Sequence, residues 1–276
     1  MKKYFKLGMV VLAVLAMTLV AVGCGGGEKP ATDNAAPAGD KQEKLVVAFE
    51  PTFAPFESTD EKGEFVGFDI DLIKAVAEAE GLEIELKSLG FDGLIPALGT
   101  GQIDVIISGM SITPERIEKV NFSIPYYDAG LGIVVQQSNN EINKFEDLAG
   151  KKLAAQIGTT GANKANEAAE ELKATVKNFN TNDLVFMELM NGAADAVITD
   201  LPVAKDFIAK KGEGKVKIVE ELDGESYGIA VAKGNDELVE TINAGLLKVK
   251  ESGQYGEIYK KWFDTEAPDY LPGEVK

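Results

Sequence analysis

The chain has 276 residues, 45% of them hydrophobic, which suffices for about two packed domains and excludes wholesale disorder. It contains no histidine and a single cysteine, Cys24, which excludes histidine-based acid–base or triad chemistry, the common zinc sites and any disulfide within the chain. With 45 acidic against 28 basic residues the formal net charge is −17, so a nucleic-acid partner, which requires a basic protein face, is not expected.

Residues 1–23 have the pattern of a secretory signal. Lys2, Lys3 and Lys6 precede an apolar run from Leu7 to Val22, and small residues follow it. The run is short for a membrane span, which takes about 20 residues, although an uncleaved N-terminal anchor helix is an alternative. Ala21-Val22-Gly23-Cys24 resembles the bacterial lipobox, except that alanine stands at the usual leucine position. That resemblance implies a lipoprotein signal peptide, with a lipid on Cys24 that would hold the protein on the outer face of a membrane.

Residues 24–43 are rich in glycine, alanine, proline and charged residues without an apolar period, which predicts a flexible tether. From Leu45 onwards, β-rich runs alternate with helical patterns. The predicted strands are Leu45–Phe49, Ile84–Lys87, Asp104–Ser108, Gly132–Gln137, Lys152–Gln156, Thr175–Phe179, Asp195–Thr199, Lys215–Val219 and Tyr227–Ala232. The predicted helices are Asp69–Glu80, Gly93–Thr100, Pro114–Val120, Ala162–Leu172, Asp183–Asn191, Leu201–Lys211, Glu237–Glu251 and Tyr255–Phe263. The alternation predicts an α/β fold with largely parallel sheets that helices cover on both faces.

Two stretches of the chain resemble each other at a separation of 91 residues. In each, a helical pattern leads through Gly-x-x-Asp into an apolar strand that ends in a hydroxyl residue, at Gly101–Ser108 and at Gly192–Thr199. Gly-x-x-Asp is also a common link from a helix to a strand, so chance similarity is the alternative. A true repeat would mean two similar lobes, each with polar groups at the carboxyl end of a strand, where open α/β sheets bind ligands.

A charged residue follows each of the repeated strands. Thr113 and Pro114 fit the N-cap and first position of a helix, which places Arg116 in the first turn, where the helix dipole disfavours a cation. A buried arginine there suits a carboxylate, whereas an exposed one would merely pair with the neighbouring glutamates. Asp200 either caps the next helix or faces a ligand ammonium across a cleft. Arg116 and Asp200 on different lobes would match the two charges of a free amino acid.

A more specific resemblance rests on six motifs: LVVAFEPTFAPF at Leu45–Phe56, VGFDID at Val66–Asp71, FDGLIPAL at Phe91–Leu98, SGMSITPER at Ser108–Arg116, GTTG at Gly158–Gly161 and ADAVITDLP at Ala194–Pro202. Together they resemble the polar amino-acid-binding proteins of bacterial ABC importers, extracellular solute-binding protein family 3. The resemblance implies a two-lobed clamp of the periplasmic-binding-protein type, each lobe a mostly parallel sheet flanked by helices. The first lobe would comprise residues 44–131 and 227–276 and the second residues 132–226. The two crossings would fall near Leu131-Gly132 and Tyr227-Gly228, where glycine would ease hinge movement.

The same resemblance implies a site for the backbone groups of an amino acid. Four side chains are expected to hold the α-carboxylate: Arg116, Ser111, Thr159 and Thr160. Asp200 is expected to hold the α-ammonium, helped by the carbonyl group of Gly109. Removing water from either ligand charge costs several kcal/mol unless that charge is paired. The ligand would therefore favour the closed arrangement of the lobes, which a transporter can distinguish from the empty one.

Four further residues match positions around the ligand side chain. Phe53 and Phe91 match aromatic positions that enclose it, although both would be ordinary core residues without the family context. Glu50 matches an acidic position near the distal end of the ligand, and Gln156 matches one that varies with the ligand. An acidic pocket with aromatic walls favours arginine or lysine, whereas Glu50 would equally accept a hydrogen bond from glutamine.

These expectations predict a lipid-anchored, non-catalytic substrate-binding component of an ABC amino-acid importer, located outside the cytoplasm. Its partners would be a polar L-amino acid, a permease with its ATPase, and the membrane through Cys24. The protein would be a monomer without cofactor or metal. One alternative is a sensory receptor module that passes lobe closure to a separate membrane partner. Another is a cyclohexadienyl dehydratase-like enzyme, in which Glu50 or Asp200 would act as acid or base.

Overall fold

The computed structural model describes residues 44–269, 271 and 272, and the predicted signal peptide, the tether and Cys24 lie outside the described residues. The strands in these ranges are β1 Leu45–Phe49, β2 Thr52–Phe53, β3 Glu57–Thr59, β4 Phe65–Val66, β5 Ile84–Ser88, β6 Val105–Ile106, β7 Val120–Phe122, β8 Tyr127–Gln136, β9 Lys152–Gln156, β10 Thr175–Phe179, β11 Ala196–Asp200, β12 Val216–Tyr227 and β13 Ala230–Ala232. The α-helices are α1 Phe68–Glu80, α2 Phe91–Gly99, α3 Pro114–Ile117, α4 Thr160–Leu172, α5 Asn182–Met190, α6 Leu201–Phe207, α7 Asp236–Glu251 and α8 Gln254–Phe263. In this part of the chain, no helix has both the length and the apolar character needed to cross a membrane.

The first lobe is built on a five-stranded sheet of order β5-β1-β6-β13-β7. Strands β5, β1 and β6 run parallel, whereas β13 is antiparallel to both of its neighbours. Successive residues of β1 point to opposite faces, so Val47 packs in one core with α1 and α7 while Ala48 packs in another with α2. Helices on both faces explain why this strand is a continuous apolar run.

The second lobe repeats the arrangement in a sheet of order β10-β9-β11-β8-β12. Here β8 is the reversed strand, antiparallel to β11 and β12. Val197 shares a core with α5 and α6, whereas Ile198 packs against α4 on the opposite face. In each sheet four strands run in one direction, which confirms the predicted α/β class and the mostly parallel sheets. Strands β6 and β11, from the two stretches that resemble each other, are both central, so these stretches are structurally equivalent.

Two regions of the first lobe differ from the sequence-based expectation. The helix predicted over Pro114–Val120 ends at Ile117 after one turn, and Val120–Phe122 instead forms the edge strand β7. Pairing of β7 with β13 supplies the hydrogen bonds that a longer helix would have made. The antiparallel sheet β2-β3-β4 has strands of two or three residues, too short for an alternating pattern to predict them.

Two adjacent strands, β8 and β12, carry the chain between the lobes. They pair antiparallel from Gln136 opposite Val216 to Tyr127 opposite Tyr227, with two irregularities in register. The Tyr127 and Tyr227 rings stack with their centroids 5.8 Å apart. The predicted crossing at Leu131-Gly132 lies within β8, and that at Tyr227-Gly228 lies at the end of β12. The lobe limits at residues 44–131, 132–226 and 227–276 stay a prediction.

Candidate functional site

The candidate residues meet where the inner strands of the two sheets end. Glu50 directly follows β1, Ser111 belongs to the turn after β6, Gln156 ends β9 and Asp200 ends β11. All ten predicted site residues are buried: Glu50, Phe53, Phe91, Gly109, Ser111, Arg116, Gln156, Thr159, Thr160 and Asp200. A hydrogen bond joins Gln156 directly to Glu50 across the lobes, and Glu225 joins Ser111 to Thr160, so these residues lie at one interface.

Arg116 is the only arginine in the sequence, and its side chain is only 7% exposed. The hydroxyl group of Thr113 caps α3 by accepting from the Arg116 backbone N–H at 3.3 Å. The guanidinium donates to the carbonyl of Ser111 at 2.8 Å through Nη1, and to the carbonyl of Gly158 in the second lobe at 3.1 Å through Nη2. Arg116 therefore links the two lobes with its backbone already held by the cap.

The electrostatic surroundings of Arg116 are those of an interior site. Burial lowers its pKa, while Asp200 and Glu225 act in the opposite direction. Glu115, the neighbour that a surface interpretation would pair with Arg116, instead forms an ion pair with Lys119 at 2.7 Å. The guanidinium stays charged because arginine is too basic to be neutralised by burial of this kind. A buried cation of this type requires an anionic partner.

Asp200 provides a buried carboxylate on the opposite lobe. It occupies the N-cap position of α6, but its side chain makes no capping hydrogen bond. Oδ2 instead accepts a hydrogen bond of 2.5 Å from the hydroxyl of Tyr227, a residue that was expected only at a crossing between the lobes. Burial raises the pKa of Asp200 to about 7, the Tyr227 hydrogen bond opposes this, and repulsion from Glu225 adds to it. A cationic ligand group would favour the charged form of this side chain.

Glu225, on β12, is a site residue that no sequence motif indicated. Its Oε2 accepts hydrogen bonds from the hydroxyl of Ser111 at 2.6 Å and from that of Thr160 at 2.8 Å. These are two of the three hydroxyls that were expected to assist a ligand carboxylate, and one comes from each lobe. The protein's own carboxylate thus occupies their donors. Glu225 belongs to no recognisable motif, and its position two residues before Tyr227 was the available signal.

A second contact between the lobes involves Glu50. Its Oε2 accepts from the hydroxyl of Thr52 at 2.7 Å and from Nε2 of Gln156, in the second lobe, at 2.9 Å. The Asn182 backbone N–H also donates to the Thr52 hydroxyl at 3.0 Å. Burial raises the pKa of Glu50, and its hydrogen bonds with Thr52 and Gln156 lower it. Oε1 of Gln156 is buried without a hydrogen-bond donor, so the amide has an unused acceptor within this interface.

The two aromatic candidates lie beside the charged groups. The Phe53 ring packs against Gly109, where a β-carbon would come within 2.8 Å of the ring and where the backbone φ is +49°. Both the packing and the left-handed backbone therefore require glycine at this position. The Phe91 ring lies under the guanidinium of Arg116, 5.4 Å from its Cζ atom, a cation–π contact that supports the buried cation.

The loop before α4 brings the second lobe against the first. A β-carbon on Gly158, whose φ is +80°, would lie 3.1 Å from the Asp92 backbone. The hydroxyl of Thr159 accepts from the Ala162 N–H at 3.1 Å and donates to the Gln156 carbonyl at 2.7 Å, so it caps α4. A cavity of about 550 Å³ adjoins this loop and Arg116 and has walls from both lobes. The described arrangement is therefore one in which the lobes touch.

Comparison with known proteins gives matches over most of the chain. Residues 45–265 match the bacterial extracellular solute-binding proteins, family 3. The probable histidine-binding protein of Neisseria gonorrhoeae is 36% identical over 261 residues, which cover 93% of this chain and 96% of that protein. An ancestral arginine-binding protein, solved bound to arginine and bound to glutamine, is 48% identical, with TM-scores of 0.77 and 0.76. These matches cover 80% of this chain and 98% of those chains.

A further solved structure is similar in sequence and fold. The arginine-, lysine-, histidine-binding protein ArtJ from Geobacillus stearothermophilus is 39% identical, with a TM-score of 0.76, over 82% of this chain and 97% of that chain. The family match spans both sheets and every candidate site residue from Glu50 to Asp200. The family resemblance seen in the six sequence motifs is thereby confirmed, and the chain belongs to the bacterial extracellular solute-binding proteins, family 3.

Proposed function

We propose that this protein is the lipid-anchored substrate-binding component of an ABC amino-acid importer. It captures a polar L-amino acid between its lobes, a basic one such as arginine or lysine first and glutamine next, and delivers it to a permease. The observation that carries the proposal is a pair of opposite charges, Arg116 and Asp200, buried on different lobes at one interface. A free amino acid carries the complementary pair of charges, so it satisfies both when the lobes close.

In this proposal the first set of contacts recognises what all amino acids share. Arg116 holds the α-carboxylate through its planar fork, and the hydroxyls of Ser111 and Thr160 donate to the same group once it replaces Glu225 as their acceptor. Asp200 and the carbonyl of Gly109 accept from the α-ammonium. Thr159 was expected to assist the carboxylate as well; because its hydroxyl is engaged in the cap of α4, we propose that it acts by holding the start of that helix.

A second set of contacts distinguishes one side chain from another. Glu50 supplies a buried carboxylate, and the unused Oε1 of Gln156 supplies an acceptor nearby. Two acceptors suit the several N–H donors of a guanidinium or ammonium group, and Phe53 and Phe91 add aromatic surface. The names of the compared relatives, which include arginine-, lysine- and histidine-binding proteins, support a basic ligand. The ancestral protein bound to glutamine supports glutamine as the next choice.

Closure of the lobes is the step that converts binding into a signal for the permease. Arg116 contacts Gly158, and Glu50 contacts Gln156, only because the lobes touch. A ligand with its charges paired by both lobes binds the closed form better than an open one, and it shifts the population accordingly. The lipid on Cys24 would keep the closed protein near the membrane, where the permease and its ATPase operate.

Thermal-shift and calorimetric titration of the mature chain with the twenty amino acids and with agmatine tests this proposal. Arginine and lysine should stabilise most, glutamine next, and agmatine, which lacks the α-carboxylate, should have little effect. Glu50→Gln should weaken arginine and lysine more than glutamine, because only cationic side chains lose a charge pair. Glu64→Gln, an exposed glutamate of the same lobe, is the matched control. Equal weakening of all ligands by Glu50→Gln would remove Glu50 from the specificity site, and no response to any amino acid would refute the function.

A further inference from the structure

Two carboxyl groups lie together behind the turn that follows β6. Glu57, on β3, and Asp69, in the first turn of α1, are both completely buried. Among the ion pairs of residues 44–269, none includes either of them. Their hydrogen-bond donors are the neutral groups Ser108 Oγ, Gly109 N–H and Tyr126 OH. Two negative charges at this place would lack any cationic compensation.

One oxygen of each of these two carboxyl groups has no hydrogen-bond donor. Glu57 Oε1 accepts from Ser108 Oγ at 2.8 Å, and Asp69 Oδ2 accepts from both Gly109 N–H and Tyr126 OH at 2.8 Å. Glu57 Oε2 and Asp69 Oδ1 are buried without a donor. A hydrogen bond between the two side chains contributes to the pKa of each, so a proton held between them would supply the missing donor.

The charged groups around the pair favour retention of that proton. Burial raises the pKa of Glu57 well above its ordinary range, and repulsion from Asp69 and then Glu50 adds to the effect. Burial also raises the pKa of Asp69, which the Gly109 and Tyr126 hydrogen bonds only partly oppose. Tyr126, the other titratable group that faces the pair, remains neutral, since burial raises its own pKa.

The pair is connected to the ligand site through a single turn. Ser108 Oγ donates to Glu57 and accepts from the Glu50 backbone N–H at 3.0 Å. The Gly109 N–H donates to Asp69, while the Gly109 carbonyl is proposed to meet the ligand ammonium. Displacement of this turn would thus shift the ammonium contact and Glu50 together.

We propose that Glu57 and Asp69 share one proton and act as positioning residues, holding the Ser108–Gly109 turn in the geometry that binds ligand. This inference rests on the proposed function for its effect on affinity, but the shared proton itself is a property of the ligand-free protein. Loss of the proton at alkaline pH leaves two repelling carboxylates in a dry site, so the turn moves and affinity falls.

Infrared spectroscopy of the ligand-free protein at neutral pH tests the proton directly. The wild type should show more protonated-carboxyl absorption than Glu57→Gln, because the glutamine amide donates to Asp69 in place of the proton while the contribution of Asp200 is common to both. Glu85→Gln, at an exposed position of the same lobe, should retain the wild-type absorption. Identical spectra of the wild type and Glu57→Gln in this region would overturn the shared proton, whether or not any amino acid binds.

Calorimetric titration over pH tests the positioning role. Glu57→Gln should bind within about threefold of the wild type at neutral pH and lose less affinity at alkaline pH, since its amide does not titrate there. Glu57→Leu, which has a similar volume and no hydrogen bonds, should lose about tenfold or more while remaining folded by circular dichroism. Equal losses in the Gln and Leu variants, or an unchanged alkaline decline in Glu57→Gln, would overturn the role.

Discussion

Arg116 is the only arginine of a chain whose other basic side chains are all lysines. Its guanidinium is buried over Phe91 and donates to carbonyl groups of both lobes. A lysine cannot reproduce this contact, because its ammonium is a compact, strongly hydrated charge without a planar fork. In the proposed function, Arg116 therefore contributes to the affinity of every ligand that carries a carboxylate.

Arg116→Ala should weaken all amino-acid ligands by about two to four decades, the cost of removing the partner of a buried charge. The measurement is calorimetric titration with arginine, lysine and glutamine, with circular dichroism as the check on folding. Lys119→Ala is the matched control, because Lys119 is an exposed cation close in sequence that pairs only with Glu115. A folded Arg116→Ala protein with near-normal affinity would contradict the carboxylate role.

Glu225→Gln should tighten the binding of amino acids by about three- to tenfold, because it removes a negative charge beside the ligand carboxylate. It should also release part of the hold on the Ser111 and Thr160 hydroxyls. The control is Glu221→Gln on the same strand, where the glutamate is exposed and pairs with Lys205. Weaker binding in Glu225→Gln would instead show that the Glu225 carboxylate contributes favourably to ligand binding.

Affinity should rise with pH as Asp200 loses its proton around pH 7, because the ligand ammonium requires the charged carboxylate. The stability of the ligand-free protein changes with pH in the opposite direction, because the folded state holds this proton more tightly than the unfolded state does. The contribution of Asp200 to the stability of the ligand-free protein is thus complete below the ordinary aspartate pKa and is lost as pH rises to about 7. Asp200→Asn should bind all ligands more weakly and lose the pH-dependent rise, as titration between about pH 5 and 8 can show. An equal rise of affinity with pH in Asp200→Asn would show that another group causes the pH dependence.

At the scale of elements, long periodic segments were predictable and short ones were not. The apolar run of β1 and the broad apolar face of α1 appear where the pattern placed them. The segment from Pro114 was predicted as one helix, because nothing local to Val120 shows that β13, more than 100 residues away, pairs with it. Strands β2, β3 and β4 escaped prediction for the same reason, since they exist through pairing rather than propensity.

The site residues likewise comprise some that the sequence predicts and some that only the fold brings in. The family motifs carry Arg116, Asp200 and Glu50, whose types and spacing are visible in the sequence. Tyr227 and Glu225 enter the site because β12 runs back beside β8, a long-range pairing that no local pattern records. The proximity of Glu57 and Asp69 likewise depends on the contact of β3 with α1.

The tight approach of the α4 loop to the first lobe provides a test of closure. Gly158→Ala should weaken all ligands, because its β-carbon presses on the Asp92 backbone in the closed form. Small-angle scattering should show the variant needing more ligand than the wild type to become compact. Gly150→Ala is the matched control: it has a similarly positive φ of +70° but open space around its β-carbon. Both should lose about 1 kcal/mol of stability, but only the first should lose affinity. Equal affinity in both variants would show that closure does not depend on this contact.

For the whole molecule, the predicted lipoprotein signal peptide leads to a test of membrane anchoring. Cys24→Ser should release the protein from the membrane into the medium or periplasm, because the lipid is the only proposed anchor. Cell fractionation with immunoblotting measures the distribution, and the mass of the purified wild type should include the lipid. A variant that stays membrane-bound, from a wild type that keeps its first 23 residues, would favour the uncleaved anchor helix.

The position of β13 also determines the order in which the two lobes can be completed. Val231 of β13 pairs with Val105 of β6 on one side and with Asn121 of β7 on the other. Strands β6 and β7 are therefore not connected in the sheet until residues 230–232 have been synthesised. The second sheet needs only strands from the continuous stretch between Tyr127 and Tyr227. During synthesis and folding the second lobe can therefore form as a unit while the first keeps a split sheet. The Ser108–Gly109 turn follows β6 at one edge of that split, so we expect the ligand contacts proposed for this turn to form late in folding.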